Sequence, residues 1–281
     1  MKTKQNSKKF IYKNDQILNH EDALISIDER GFLFGDGLFE TCRFLNQKII
    51  NFEAHLARIK IGLLSLKLNA DIQNIESKCY NLITKNNLQD GIIRISISRG
   101  IGSKGYLPTN ETPNLIIIQT KELPTTPKEI NLMVCEINPP PFKFKSANGL
   151  QYILAKIFAQ ENNFFDSIML DKKGYICETS SANIFWIKDK IIYTPSDDCE
   201  IVLGTIRSAL IELKSLQIKC GKFKISDLEN ADEVFISNAS SLILPVDKIA
   251  FRDKKFTHNI KYKKILVKKV IKLLKIRFGL I

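Results

Sequence analysis

Residues 122–128, Glu-Leu-Pro-Thr-Thr-Pro-Lys, interrupt an otherwise close succession of apolar segments and constrain the fold more than any other stretch. Proline lacks a backbone donor and locks φ, so neither a helix nor a central strand runs through them. Before this break, residues 23–27, 38–44 and 48–51 read as strands, with Gly35-Asp36-Gly37 turning the chain ahead of the second. Residues 53–66 and 71–84 carry helical periodicity, and 91–98 and 114–119 are β-rich. After it come a strand at 130–137, a helix at 147–162 and two hairpins, 167–170 with 175–177 and 183–187 with 191–194. A helix at 204–215 and a strand at 233–236 follow, the strand ending at Ser237-Asn238-Ala239-Ser240-Ser241. The irregular alternation contains no internal repeat. It predicts an α+β chain with a smaller domain at 1–120, a linker at 121–128, a larger domain at 129–281 and a site between them.

Charge and cysteine usage exclude several function classes. The net charge of +12 suggests a polyanion partner, but residues 254–277 hold ten Lys/Arg and no acid, leaving about +2 for the rest of the chain. Within that segment Leu266, Val270, Leu273 and Leu274 recur at helical spacing between lysines, which predicts a terminal helix docked by one face and solvated on the other. Neither nucleic acid nor membrane is therefore expected as a partner. No apolar run reaches the roughly 18 residues of a membrane span, and no h-region follows the polar, basic residues 1–9, which predicts a cytoplasmic protein. The six cysteines, at 42, 79, 135, 177, 199 and 220, lack CxxC spacing, and His20, His55 and His258 lie far apart, so no metal site is expected.

Two strings carry chemistry. Lys145-Ser146-Ala147-Asn148 stands where a helix is expected to open, and 33 positions later Glu178 ends a hairpin ahead of Thr179-Ser180-Ser181-Ala182-Asn183. A lysine that forms a Schiff base, paired with an acid that holds a pyridine nitrogen protonated, is what pyridoxal 5'-phosphate (PLP) chemistry requires. Lys143 and Lys156 are the competing lysines. Gly100 to Gly105 spell GxGxxG, but the prolines at 108 and 113 prevent the helix that a dinucleotide fold needs there.

Over residues 27–246 these strings resemble the class IV (fold-type IV) PLP aminotransferase and lyase family. Lys-Ser-x-Asn followed by Tyr-x-Leu-Ala resembles its cofactor-lysine segment, and Glu178 to Phe185 its pyridine-nitrogen segment. The HxxR string at His55–Arg58 resembles the segment whose arginine binds the cofactor phosphate. Gly204-Thr205-Ile206-Arg207 resembles a phosphate-binding turn with Ile and Thr exchanged, and Asn238-Ala239 the second phosphate loop. Asp28 to Thr41 resembles the family's N-terminal signature.

The resemblance implies a two-domain fold like that of D-amino acid aminotransferase, a homodimer, and Lys145, Arg58, Glu178, Gly204, Thr205, Ile206, Asn238 and Ala239 around PLP. Two details point to 4-amino-4-deoxychorismate lyases, which make 4-aminobenzoate and pyruvate for folate synthesis: Asn238-Ala239, and Ser98-Arg99-Gly100 with Lys104-Gly105-Tyr106. In those lyases a basic residue and a tyrosine of this loop face the substrate carboxylates. Glu40 is the third candidate catalytic residue. It occupies a position that some lyases fill with a proton-donating threonine and that aminotransferases often fill with glutamate. An aminotransferase for D-amino or branched-chain amino acids with 2-oxoglutarate is the alternative, and an inactive scaffold or RNA-binding module the remote one.

Overall fold

The computed structural model describes residues 9–102, 105–109, 114–125, 127, 129–252 and 257–281. Two compact units emerge: residues 1–123 with Phe144–Asn148, and Pro124–Lys143 with Gly149–Ile281. The chain passes from one to the other at Leu123/Pro124, inside the proline-bearing stretch. Residues 144–148, which the sequence assigns to the larger domain, make their contacts in the first unit instead.

The first unit is a six-stranded antiparallel sheet in the order Gln16–Asn19, Phe10–Lys13, Leu115–Lys121, Gly91–Ser98, Gly37–Leu45, Lys48–Ile49. Alternation sorts its two faces. Leu38, Cys42 and Phe44 share the core with Ile93, Ile95, Ile97, Ile116 and Ile118, beneath the helices Phe52–Ser65 and Ile75–Lys85. Phe39, Thr41 and Arg43, with Arg94, Ser96 and Ser98, are half-buried on the opposite face. The expected strand at 23–27 does not form; the edge is instead the hairpin of Phe10–Lys13 and Gln16–Asn19. Leu24, Ile25 and Ile27 find no sheet partner and stand exposed.

The second unit is a branched, mixed sheet of ten strands, in which Asn183–Lys188 is central: Ile176–Thr179, Ile191–Pro195 and Glu233–Asn238 all pair with it. Ile184, Trp186, Val234, Ile236 and Ile249 fill its core. The helix expected at 147–162 spans Leu150–Glu161, so Lys145 precedes it in extended chain rather than opening it. The helix expected at 204–215 is Thr205–Ile211. The terminal helix Leu266–Arg277 buries Val267, Val270 and Leu274, and its first N–H groups, at Leu266 and Val267, donate to the buried Glu233 carboxylate at 2.8 Å each. An acid at a helix N-terminus meets otherwise orphaned donors. Among the described residues no helix is long and apolar enough to cross a membrane.

Candidate active site

In the first unit the site begins with a charge on the wrong face of a strand. Glu40 lies between Leu38 and Cys42 on the core side and is 1 % exposed. It is held there by the helix Phe52–Ser65, whose positions 55 and 58 face the strand. Arg58 Nε donates to Glu40 Oε1 at 2.6 Å and Arg58 Nη2 to Oε2 at 2.9 Å, while His55 Nδ1 meets Oε2 at 2.7 Å. A carboxylate only accepts, so Nδ1 carries the ring proton. Burial alone would push the Glu40 carboxyl up, but the Arg58 charge and the hydrogen bonds from His55 and Arg58 outweigh it and hold the pKa at about 2. Glu40 is therefore ionised and enclosed, which suits it to orienting Arg58 and unsuits it to donating a proton. Cys42 lies near this pair, its Sγ within 4.8 Å of ligand atoms of Glu40 and His55. A metal ion there would face the Arg58 guanidinium and a thiol that burial pushes well above its ordinary pKa, so the cluster reads as an ion pair, not a metal site.

The backbone of Lys145 is paired to the same strand. Phe39 N donates to Lys145 O at 2.8 Å and Ala147 N to Gly37 O at 2.9 Å, so residues 145–147 extend the sheet as a short added rung. Gly62 lets the helix approach closely: a Cβ there would come within 2.8 Å of Leu38 and 3.0 Å of Phe144. Lys145 Nζ stands 5.0 Å from the Phe39 ring centroid, and Arg94 Cζ lies 3.9 Å from the same centroid. Burial lowers the Arg94 pKa, and no carboxylate pairs with it among the described residues. Tyr106 is 89 % exposed, and Lys104 lies outside the described residues.

In the second unit Glu178 is 3 % exposed at the end of the strand Ile176–Thr179. Tyr152 Oη donates to Oε1 at 2.8 Å, Val202 N to Oε1 at 3.1 Å and Asn183 Nδ2 to Oε2 at 3.1 Å. These neutral donors match the carboxylate's lone pairs and fix its plane. Burial first, then the Glu178 charge, raise the Tyr152 pKa far above its usual range, so the phenol keeps its proton. A Cβ at Gly204 would overlap Asn183 Oδ1, which makes glycine the residue that lets the turn before Thr205–Ile211 approach Asn183. The Ser180 and Ser181 hydroxyls are not turned to a ligand: both donate to the buried Asp166 carboxylate, Ser181 at 2.6 Å. Asn238 Nδ2 donates to Ser181 O at 3.2 Å and its Oδ1 accepts from Ser241 N at 2.8 Å, so its side chain ties two loops together.

Residues 37–249 match the family model described as amino-transferase class IV. The chain belongs to that family. It is 30 % identical to the D-alanine aminotransferase of Staphylococcus epidermidis over 85 % of this chain and 88 % of that protein. It is also 30 % identical to the aminodeoxychorismate lyase of Bacillus subtilis, over 85 % and 86 %. Among solved structures it resembles a putative 4-amino-4-deoxychorismate lyase from Legionella pneumophila, with 26 % identity, TM-score 0.81 and coverage of 90 % of this chain and 95 % of that one. The Escherichia coli branched-chain amino acid aminotransferase shares the fold, with TM-score 0.85, 23 % identity and coverage of 96 % and 94 %. The class IV fold is thus established, and the family is PLP-dependent.

Lys145, Arg58 and Glu40 belong to the first unit, and Glu178, Gly204, Thr205, Ile206, Asn238 and Ala239 to the second. The residues of each unit fit the family's cofactor. A buried guanidinium held in place by Glu40 puts a fixed positive charge where a phosphate would be favoured, and a carboxylate held by donors suits a protonated ring nitrogen. The glycine turn before Thr205 leads into a first helical turn, whose N–H groups have no intrahelical acceptors. Sequence alone assigns no contact to Tyr152, Asn183, His55 or Arg94. His55 sits inside the HxxR string and Tyr152 inside Tyr-x-Leu-Ala, so both carry a signal that motif reading can find. Arg94 signals itself only by breaking an apolar strand, which any half-solvated face also does.

Proposed function

We propose that this enzyme is a PLP-dependent 4-amino-4-deoxychorismate lyase that forms 4-aminobenzoate and pyruvate for folate synthesis. The observation that carries the reading is Tyr106. Its carbonyl is held by Arg30 Nη2 at 3.1 Å while its phenol is open to solvent, in a loop resembling the one that faces substrate carboxylates in such lyases. The share of identity with the Bacillus subtilis lyase supports it, and one with the Staphylococcus epidermidis aminotransferase supports the alternative equally. Glu40 favours that alternative, because an enclosed carboxylate held at about 2 cannot supply a proton to a leaving fragment.

When bound, PLP supplies a carbonyl carbon for the amine and a ring that accepts electrons. Lys145 Nζ would hold the cofactor and then take the proton from the substrate's amine-bearing carbon. Loss of the ring–oxygen bond would release the three-carbon fragment, which leaves as pyruvate after taking up a proton. Glu178, oriented by Tyr152, Asn183 and Val202, would keep the pyridine nitrogen protonated. Arg58 would bind phosphate, with the backbone of Gly204, Thr205, Ile206, Asn238 and Ala239. Lys104 and Tyr106 would meet the substrate's carboxylates. A homodimer belongs to this proposal and is supported by the exposed apolar stretch of Leu24, Ile25, Ile27 and Phe32. A monomeric mass by light scattering of the holoenzyme would remove that part.

The test supplies aminodeoxychorismate without any 2-oxo acid. Steady formation of 4-aminobenzoate is expected, with only slow amino transfer from D-alanine or L-leucine. No 4-aminobenzoate, together with rapid exchange between either amino acid and 2-oxoglutarate, would install the aminotransferase instead. Glu178→Gln is expected to keep the cofactor bound and lower turnover about 10²–10³-fold, the scale of removing one preorganised electrostatic contact. Near-wild-type turnover would dismiss the pyridine-nitrogen role.

A further inference from the structure

Arg30 and Asp36 belong to a cluster that the reaction as described does not use. Arg30 is 2 % exposed, and its Nε pairs with Asp36 Oδ2 at 2.8 Å. Its remaining fork reaches the following loop, Nη1 donating to Gly105 O at 2.9 Å and Nη2 to Tyr106 O at 3.1 Å. Asp36 is shared: Arg99 Nε donates to Oδ2 at 2.8 Å and Nη2 to Oδ1 at 3.1 Å. Arg99 also donates to Leu66 O at 2.8 Å and Lys67 O at 3.2 Å at the end of the helix Phe52–Ser65. The backbone repeats the link, since Arg30 N donates to Gly100 O at 2.9 Å and Arg99 N to Asp36 O at 3.1 Å. A Cβ at Gly102 would come within 2.8 Å of Arg30 Cδ, so the loop closes against the arginine stem. Phe34 completes the contact, 4.8 Å from the Arg30 guanidinium and 5.7 Å from the Tyr106 ring, centroid to centroid.

The connection from Gly91–Ser98 to Leu115–Lys121 is long, and connections of that length are more often functional than short ones. Here one buried guanidinium takes two successive carbonyls of it. The hydrogen bonds from Arg99 and Arg30 outweigh the effect of burial and hold the Asp36 carboxyl below the usual range, so the two arginines share one permanent counter-charge. Arginine is required by shape: a lysine could keep the charge near Asp36 but could not serve Asp36, Gly105 and Tyr106 with a planar fork.

We propose that Arg30 and Asp36 are positioning residues for substrate recognition, setting through the 105–106 backbone how the Tyr106 phenol meets a substrate bearing more than one carboxylate. The assignment rests on the loop facing substrate, as in the proposed function. It makes the cluster a determinant of specificity between dicarboxylates and simple amino acids, separate from cofactor binding and from proton transfer.

The test is a double-mutant cycle on the holoenzyme with Arg30→Lys, Tyr106→Ala and the pair. Aminodeoxychorismate and D-glutamate serve as dicarboxylates and D-alanine as the small substrate. Arg30→Lys is expected to raise KM for the dicarboxylate roughly tenfold, less than the about 10²-fold that a 1 Å misplacement can cost. Its kcat, its cofactor absorbance and its half-reaction with D-alanine should stay near wild type. In the Tyr106→Ala background the added effect of Arg30→Lys should shrink to less than half, because the phenol that Arg30 positions is gone. Additive effects, or equal losses with all three substrates, would overturn the proposal and leave the cluster a scaffold. If Arg30→Lys does not fold, Asp36→Asn runs through the same cycle, where coupling to Tyr106→Ala supports the proposal and additivity overturns it. Wild-type enzyme that makes no 4-aminobenzoate refutes the lyase reading alone; the cycle is then scored with D-glutamate, and a lack of coupling there refutes the positioning role.

Discussion

Lys145→Ala is expected to abolish covalent attachment of the cofactor and to lower turnover by at least about 10²–10⁴-fold, the share of a positioned acid–base group alone. Borohydride reduction of the wild-type holoenzyme, followed by peptide mapping, should place the pyridoxyl group on Lys145. The structure sharpens this expectation against the two neighbouring lysines. Lys143 Nζ donates to Cys199 O, and Lys156 Nζ donates to Phe165 O while lying 4.2 Å from the Phe165 ring centroid. Both are used in holding the second unit together. Lys145 stands against the ring of Phe39, on the strand that also carries Glu40, and its backbone is part of that sheet. Label recovered on Lys143 or Lys156, or a Lys145→Ala enzyme with ordinary turnover, would overturn the assignment.

The second large effect is on stability and concerns Glu40. Glu40→Ala removes the counter-charge of a buried Arg58 and the acceptor of His55, and loss of one partner from a buried pair costs about 3–5 kcal/mol. Cofactor affinity should fall with it, because Arg58 is no longer held in its fork geometry. The pH dependence has a definite sign. The Glu40 carboxyl is depressed from an ordinary 4.5 to about 2, so its contribution is fully present above about 4.5 and is lost as pH falls through about 2. Thermal melts of wild type and Glu40→Gln should therefore differ most from about pH 5 upward and converge toward about pH 2. A gap that stayed constant down to that pH would mean that the ion pair does not supply this stability.

Much of the chain is legible in its sequence because local rules govern it. Strands Gly37–Leu45 and Gly91–Ser98 alternate over most of their length, and the helix Phe52–Ser65 shows the 3.6 period, since each buries one face. The strings around Lys145, Glu178 and Arg58 are readable because each resembles the family's pattern over several consecutive residues, and the family model spans all three. Errors fall where nothing local decides. Residues 23–27 have β-rich composition, but a strand needs a partner edge, and Phe10–Lys13 occupies the edge beside Leu115–Lys121. The helix after Lys145 starts three residues later than expected because residues 145–147 are claimed by the backbone of Gly37 and Phe39, a pairing more than 100 residues distant.

Most element types, such as the strand Gly37–Leu45 and the helix Phe52–Ser65, follow from local pattern, and the same pattern offers candidates for handling a phosphate, an amine and a ring nitrogen. How their side chains are held depends on contacts made across the fold. Glu40 looks like any acid on an alternating strand until Arg58 and His55 close over it. The two serines after Thr179 have no partner legible in the sequence, and Asp166 takes both. Arg30 looks like part of a turn until it holds Asp36 and two carbonyls 75 and 76 residues away. The physical reason is common to all three. A charge or hydroxyl removed from water must find its partner wherever the fold supplies one, and that partner has no fixed offset along the chain.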